Sequence, residues 1–176
     1  SFLGERYDDQ LTGRAFFEIQ PTGAARFSLF ARGGESVDFV NNRPADLLVL
    51  MPGVELKLGR RVNTRLDHSF QRLEGDEGTI LEENLTELRV VYNLSVRSFV
   101  RAIFQYRDVA RAPELFDLPV EPDEERLFTQ LLFSYKVNPQ TVVFVGYSDN
   151  RLGLGDVSLT QTDRTLFVKL GYAWLR

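Results

Sequence analysis

Residues 11–20 read L-T-G-R-A-F-F-E-I-Q, with Leu11, Ala15, Phe17 and Ile19 on one parity and Arg14, Glu18 and Gln20 on the other. A two-residue period belongs to an extended chain, whose successive side chains point to opposite faces. The same test picks out runs near 24–33, 47–58, 62–73, 84–94, 98–107, 127–137, 141–149 and 164–175, all rich in Phe, Val, Tyr and Thr. The chain is therefore expected to be all-β: an antiparallel up-and-down meander of about nine strands, forming one domain over 1–176.

The connections add a second pattern. Pro21-Thr22-Gly23, Gly59-Arg60-Arg61, Ser95-Val96-Arg97 and Asn138-Pro139-Gln140 are short and mostly contain turn formers. Between them lie longer polar segments, roughly 34–46, 74–83, 108–126 and 150–163. Short turns on one rim and long loops on the other are expected, as in outer-membrane barrels.

Collecting the apolar parity from every run gives one row without a formal charge. It includes Phe17, Ile19, Phe27, Leu29, Leu48, Leu50, Val54, Leu66, Leu88, Phe104, Leu131, Phe133, Val143, Val145, Leu166, Val168 and Leu170. The opposite row holds Arg14, Glu18, Arg26, Arg32, Glu55, Lys57, Arg65, Asp67, Glu87, Arg89, Arg101, Arg107, Lys136 and Lys169, ten cations against four anions. A lipocalin-like barrel or sandwich would turn the apolar row inward, whereas a transmembrane barrel would turn it to lipid and line its lumen with the ionic row. The aromatics favour the second arrangement. Tyr92, Tyr106, Tyr135, Tyr147, Tyr172 and Trp174 fall on the apolar parity near expected strand ends, where rings at a lipid or partner interface have polar groups within reach.

Composition removes several other classes. Twenty-one Lys and Arg against 25 Asp and Glu give a net charge of −4, which disfavours nucleic acid. With no cysteine and one histidine, neither thiol chemistry nor a Cys or His metal centre is expected, and no cofactor is. No apolar run approaches a membrane-spanning helix, the longest, Leu47 to Val54, being broken by Pro52. The chain starts at Ser1 without a basic-then-apolar leader, and is read as a processed chain or a fragment of a longer precursor.

Residues 126–153, R-L-F-T-Q-L-L-F-S-Y-K-V-N-P-Q-T-V-V-F-V-G-Y-S-D-N-R-L-G, and residues 161–174, Q-T-D-R-T-L-F-V-K-L-G-Y-A-W, resemble the C-terminal barrel region of a family of large, poorly characterised bacterial envelope proteins. L-M-P-G-V at 50–54 and S-F-V-R-A-I-F-Q-Y at 98–106 fit the same resemblance. It implies a longer precursor with a carbohydrate-binding-like domain at its N-terminus, and supplies no catalytic residues. Two features depart from an ordinary outer-membrane barrel. The strand count is odd, for which a missing first strand or an N-terminal cut would account, and the terminal aromatic is displaced by two residues in Trp174-Leu175-Arg176.

Candidate chemistry is sparse. Asp67, His68 and Ser69 are adjacent, so alternate residues point to opposite faces and no triad forms. Glu82-Glu83 and the acids of 121–125 lack the spaced Asp and Gly pattern of a calcium loop and read as solvated acidic loops. Gly153 and Gly155 precede no helix that could hold a phosphate, and the sequons at Asn84 and Asn93 fall within or at the end of a strand. No catalytic and no metal-binding residue is expected. The ionic row is the remaining constellation: Arg14, Arg26, Arg65, Arg89 and Arg101 pairing with Glu18, Glu55, Asp67 and Glu87 would plug a narrow lumen, or the excess of cations would favour anions. The expectation is a non-enzymatic barrel domain of a bacterial outer membrane, an anchor or small pore, touching lipid or a protein partner through its apolar face. Two alternatives stand beside it: a soluble or periplasmic, membrane-associated β-sheet subunit of a larger assembly, and a lipocalin-like binder of a small ligand.

Overall fold

The computed structural model describes residues 11–174, and the expectations concerning Ser1 and the terminal Leu175-Arg176 lie outside them. Nine strands follow one another: β1 (Thr12–Thr22), β2 (Ala25–Asp38), β3 (Arg43–Leu58), β4 (Val62–Gly75), β5 (Gly78–Asn93), β6 (Ser98–Arg111), β7 (Asp123–Asn138), β8 (Thr141–Leu154) and β9 (Val157–Tyr172). Each pairs antiparallel with its neighbour in sequence, in the order β1 to β9, so the meander is as expected. Among the described residues the sheet is not closed: β1 pairs only with β2 and β9 only with β8.

The four long loops are a correction. Three of them shrink to short turns at 39–42, 76–77 and 155–156, and only 112–122 remains a loop, with one 3-10 turn at Pro113–Leu115. The polar segments continue the ladders instead, through pairs such as Arg72↔Glu82, Glu83↔Val109 and Asn150↔Asp163. A polar residue is as competent as an apolar one to hold a backbone ladder when both faces meet water, so strand pairing outlasts the alternation that revealed it. The two-residue turn Gly155-Asp156 relies on Gly155 at φ 53°, a left-handed conformation that suits a tight hairpin. Within β3 the ladder to β4 lapses at Met51 and Pro52, where proline has no N–H to give.

The strands of 16 residues, β3, β5, β7 and β9, run to roughly 50 Å at ~3.3 Å per residue. Among the described residues no second layer covers either face. Accessible surface is 12151 Å², against about 8,800 Å² for a compact 20.2 kDa monomer. The few buried apolar side chains, Val37, Ala45, Ile80, Ile103, Val109 and Leu132, do not form the two-sided core of a sandwich. The loop 112–122 ties back across the sheet: Arg43 Nη2 donates to the Leu115 carbonyl at 2.6 Å, and the Asp117 N–H donates to Asn41 Oδ1 at 3.0 Å. It thereby bridges the ends of β3 and β6, which β4 and β5 separate in the sheet.

Candidate functional site: two unlike faces of one sheet

Cross-strand pairs in an antiparallel ladder share a face, so the register assigns every side chain. One row runs Ile19, Phe27, Val54, Leu66, Leu88, Phe104, Thr129, Asp149, Arg164 from β1 to β9. The next, toward the 23–24 turn rim, runs Ala25, Leu56, Thr64, Val90, Ala102, Leu131, Tyr147, Leu166. The apolar parity thus forms one face, and no described residue covers it along β9: Leu166, Val168 and Leu170 are 75%, 72% and 67% exposed.

This apolar band crosses the hydrogen-bonded rows on a slant. Its upper border is Leu48 on β3, Phe70 on β4, Tyr106 on β6, Leu127 on β7, Tyr147 on β8 and Leu166 on β9. Beyond it the same face turns polar, with Arg72, Asn84, Asp108, Glu125, Asp149 and Arg164. Followed back along its row, Leu166 meets β3 at Leu56, eight residues from Leu48 after six strand steps. The lower border descends likewise, from Ile19 on β1 to Tyr172 on β9, eight residues beyond Arg164 in the Ile19 row after eight steps.

The expected aromatics lie along these borders. Tyr92, Tyr135 and Tyr172 sit at the lower one, and Trp174 follows Tyr172 with the two rings edge to face at 6.0 Å. Tyr106 and Tyr147 stand mid-strand rather than near strand ends, because β6 and β8 run further than their alternation. Both mark the upper border, where Tyr106 donates to Glu125 at 3.0 Å and Tyr147 to Asp149 at 3.4 Å.

The ionic row occupies the other face as expected. Glu18, Ser28, Gly53, Asp67 and Glu87 form one row, and Arg26, Glu55, Arg65 and Arg89 the next. Their ion pairs run along the sheet surface: Arg65 to Asp67 at 2.6 Å, Arg89 to Glu87 at 2.8 Å and Arg26 to Glu18 at 3.9 Å. All are partly exposed, where an ion pair adds little to stability. Arg14 faces Arg32 and pairs with no carboxylate among the described residues. Lys57, Arg101, Lys136 and Lys169 lie toward the 23–24 turn rim, also without one. Hollows of the sheet open on this face, one around Arg65 and Asp67 and another of about 540 Å³ beside Arg107, Arg126, Phe128 and Asn150.

One cluster escaped the sequence reading. Glu124, its side chain 12% exposed, takes Arg126 at 2.6 Å, Arg111 at 3.1 Å and Arg107 at 3.2 Å, while Arg107 also reaches Glu83 at 2.6 Å. Glu83 and Glu124 are therefore not members of solvated acidic loops. Strand geometry sends Glu124 into the arginines and its neighbour Glu125 to the opposite face, and continuing the parity past Leu127 to Asp123 would have found it.

The remaining candidates do not come together. His68 Nδ1 lies 2.8 Å from Thr86 Oγ1 on the apolar face, with Asp67 and Ser69 on the other. No cluster of His, Cys, Asp and Glu among the described residues could hold a metal. No helix of the described residues is long and apolar enough to cross a membrane, which bears only on helices.

No protein-family model, curated protein or solved structure matches this chain.

Proposed function

We propose that the chain is a non-enzymatic, outer-membrane-type β-barrel element of a bacterial envelope protein. Its apolar face meets lipid and its ionic face lines a watery lumen, as an anchor or small pore. The slant of the apolar band carries this reading. Strands in a transmembrane barrel lean some 35–45° from the membrane normal, so a level slab of lipid cuts obliquely across the hydrogen-bonded rows. Eight residues at ~3.3 Å over six steps of ~4.8 Å correspond to a lean of about 42° for the upper border, and eight residues over eight steps to about 35° for the lower. A sheet covered by a protein layer has no reason to follow that angle on both borders.

Band height agrees. From Leu127 to Tyr135 on β7, or Leu48 to Leu58 on β3, the tilted strand spans roughly 20–25 Å, about the thickness of the apolar belt of such barrels. Tyrosines at both borders are then a pair of interfacial girdles, with Tyr106 and Tyr147 reaching acids of the polar collar above. The lipocalin-like alternative needs a hollow on the apolar side, whereas the hollows around Arg65 and beside Arg107 lie on the ionic one.

The unpaired edges of β1 and β9 favour a second reading: an extrinsic sheet subunit whose apolar face and edges are covered by a protein partner. Polarised infrared spectroscopy of the chain reconstituted in oriented bilayers separates the two. The membrane reading expects detergent dependence and a strand tilt of about 35–45°. A monodisperse chain without detergent, or strands lying flat on the bilayer, overturns it.

A further inference from the structure

The turns at the two rims of the sheet carry opposite charge. Turns 39–42, 76–77 and 155–156 and the loop 112–122 hold Asp76, Glu77, Glu114, Asp117, Glu121 and Asp156, and no Lys or Arg. Turns 23–24, 59–61, 94–97 and 139–140, at the other rim, hold Arg60, Arg61 and Arg97, and no Asp or Glu. The nearest acids, Glu18 and Glu55, stand inside β1 and β3, with Arg26 paired to the first and facing the second across the ladder. Arg60, Arg61 and Arg97 are exposed and pair with no carboxylate among the described residues. Apolar side chains share these hairpin ends, where Leu58, Leu94 and Val137 are exposed and Val96 wholly so. The cationic turns lie directly beyond the lower tyrosine girdle: Tyr92 pairs with Val62, the residue after Arg61, and Tyr135 with Ser98, the residue after Arg97. Backbone bonds hold them there, the Asn93 N–H donating to the Arg61 carbonyl at 2.8 Å and the Lys136 N–H to the Arg97 carbonyl at 2.7 Å.

We infer that the rim of turns 23–24, 59–61, 94–97 and 139–140 seats in a headgroup layer rich in anionic phospholipid. Such a layer presents many phosphates side by side, so cations one or more strand spacings apart each meet their own and need no common pocket. A guanidinium offers a phosphate its fork of donors, while the exposed apolar side chains beside it sink to the boundary between headgroup and acyl chain. The acids of the opposite turns gain nothing from that layer and are repelled by it. An acidic protein segment would pair with the arginines as well, but the girdle one residue away already sets the depth at which headgroups lie. That depth rests on the membrane reading; the attraction of the rim for anionic headgroups stands apart from it.

The test is the lipid selectivity of the full chain reconstituted in phosphatidylcholine vesicles, read by electron paramagnetic resonance with spin-labelled phosphatidylglycerol and phosphatidylcholine. A several-fold preference for phosphatidylglycerol is expected at low ionic strength, and raising the salt several-fold should weaken it. The double variant Arg60→Gln, Arg97→Gln should lose most of that preference, and Arg60→Lys, Arg97→Lys should retain it. Arg14→Gln with Arg32→Gln takes the same charge from a facing pair on the ionic face, away from these turns, and should also retain it. Equal loss in the two glutamine variants, or no preference in the unaltered chain, overturns the seating. Should the first variant not refold, Arg97→Gln alone and the salt dependence of the unaltered chain supply the same decision. If the inserted chain shows no preference while polyglutamate binds the detergent-solubilised chain through Arg60 and Arg97, an acidic protein segment is the occupant and lipid is not. A chain inserted with tilted strands but indifferent to phosphatidylglycerol refutes the seating and leaves the membrane reading standing. A soluble chain that never inserts, yet sediments with phosphatidylglycerol vesicles and ceases to do so in Arg60→Gln, Arg97→Gln, does the reverse.

Discussion

Arg43 holds Asp38 at 3.1 Å through Nε at the mouth of the β2–β3 hairpin, beyond the apolar band. Asp38 is 2% exposed. Burial works to raise its pKa, but hydrogen bonds from Asn41, Arg43 and the backbone of Val40 outweigh burial and hold it below the ordinary 3.8. A lowered carboxylate contributes stability that is fully present above the ordinary value and is lost as pH falls through the folded one. Amide exchange over 39–43 and 112–117, corrected for intrinsic rates, should therefore accelerate below about pH 4. In Asp38→Asn that pH dependence should vanish; its persistence would place the sensitive group elsewhere.

The same guanidinium reaches two further hairpins, Glu77 in the β4–β5 turn at 3.6 Å and the carbonyl of Leu115 in the loop after β6. Arg43→Ala should cost about 1–3 kcal/mol, since it strips a nearly buried carboxylate of a charged donor. Limited proteolysis should show the damage first at 112–122, with the strands still protected. A variant cut no faster than the parent in that loop would remove Arg43 as its fastening.

On the ionic face the ring of Phe167 lies over Gly146, its partner in the β8–β9 ladder, where a Cβ would overlap the ring. Gly146→Ala should destabilise by about 1–3 kcal/mol, and Phe167→Leu should recover part of that in the double variant. Additive losses in a double-mutant cycle would show that the ring does not depend on the glycine.

Val168 and Thr165 on β9 point to opposite faces. Arginine at Val168, which is 72% exposed, would cost almost nothing if water covered that face, but about 2–4 kcal/mol if lipid does. Refolding into bilayers should therefore be impaired by Val168→Arg and be nearly unaffected by Thr165→Arg. Equal behaviour of the two variants would count against lipid on the apolar side.

Strand number, strand order and both faces were legible because one face is apolar over the whole height of the band, and period two survives wherever that holds, as at Phe17, Ile19 and Phe27. Past the upper border both faces are polar. There the alternation disappears while the ladder continues, so Glu82, Glu83 and Glu124 read as loop although each has a cross-strand partner. The slant was not legible at all. It depends on which residue of one strand stands beside which residue of the next, and hairpin lengths estimated from sequence miss that register by several residues. The pairing of Tyr106 with Glu125 was hidden for the same reason.

β1 and β9, the two strands without an outer neighbour among the described residues, point the same way because nine is odd. Seaming them directly would create a single parallel junction in an otherwise antiparallel ring. Several copies set side by side about a common axis would repeat that junction once per copy, whatever their number. A ring in which every neighbour is antiparallel admits only an odd number of strands inserted between these two edges. Strand parity thus decides whether closure can be wholly antiparallel before any side chain at the seam is considered.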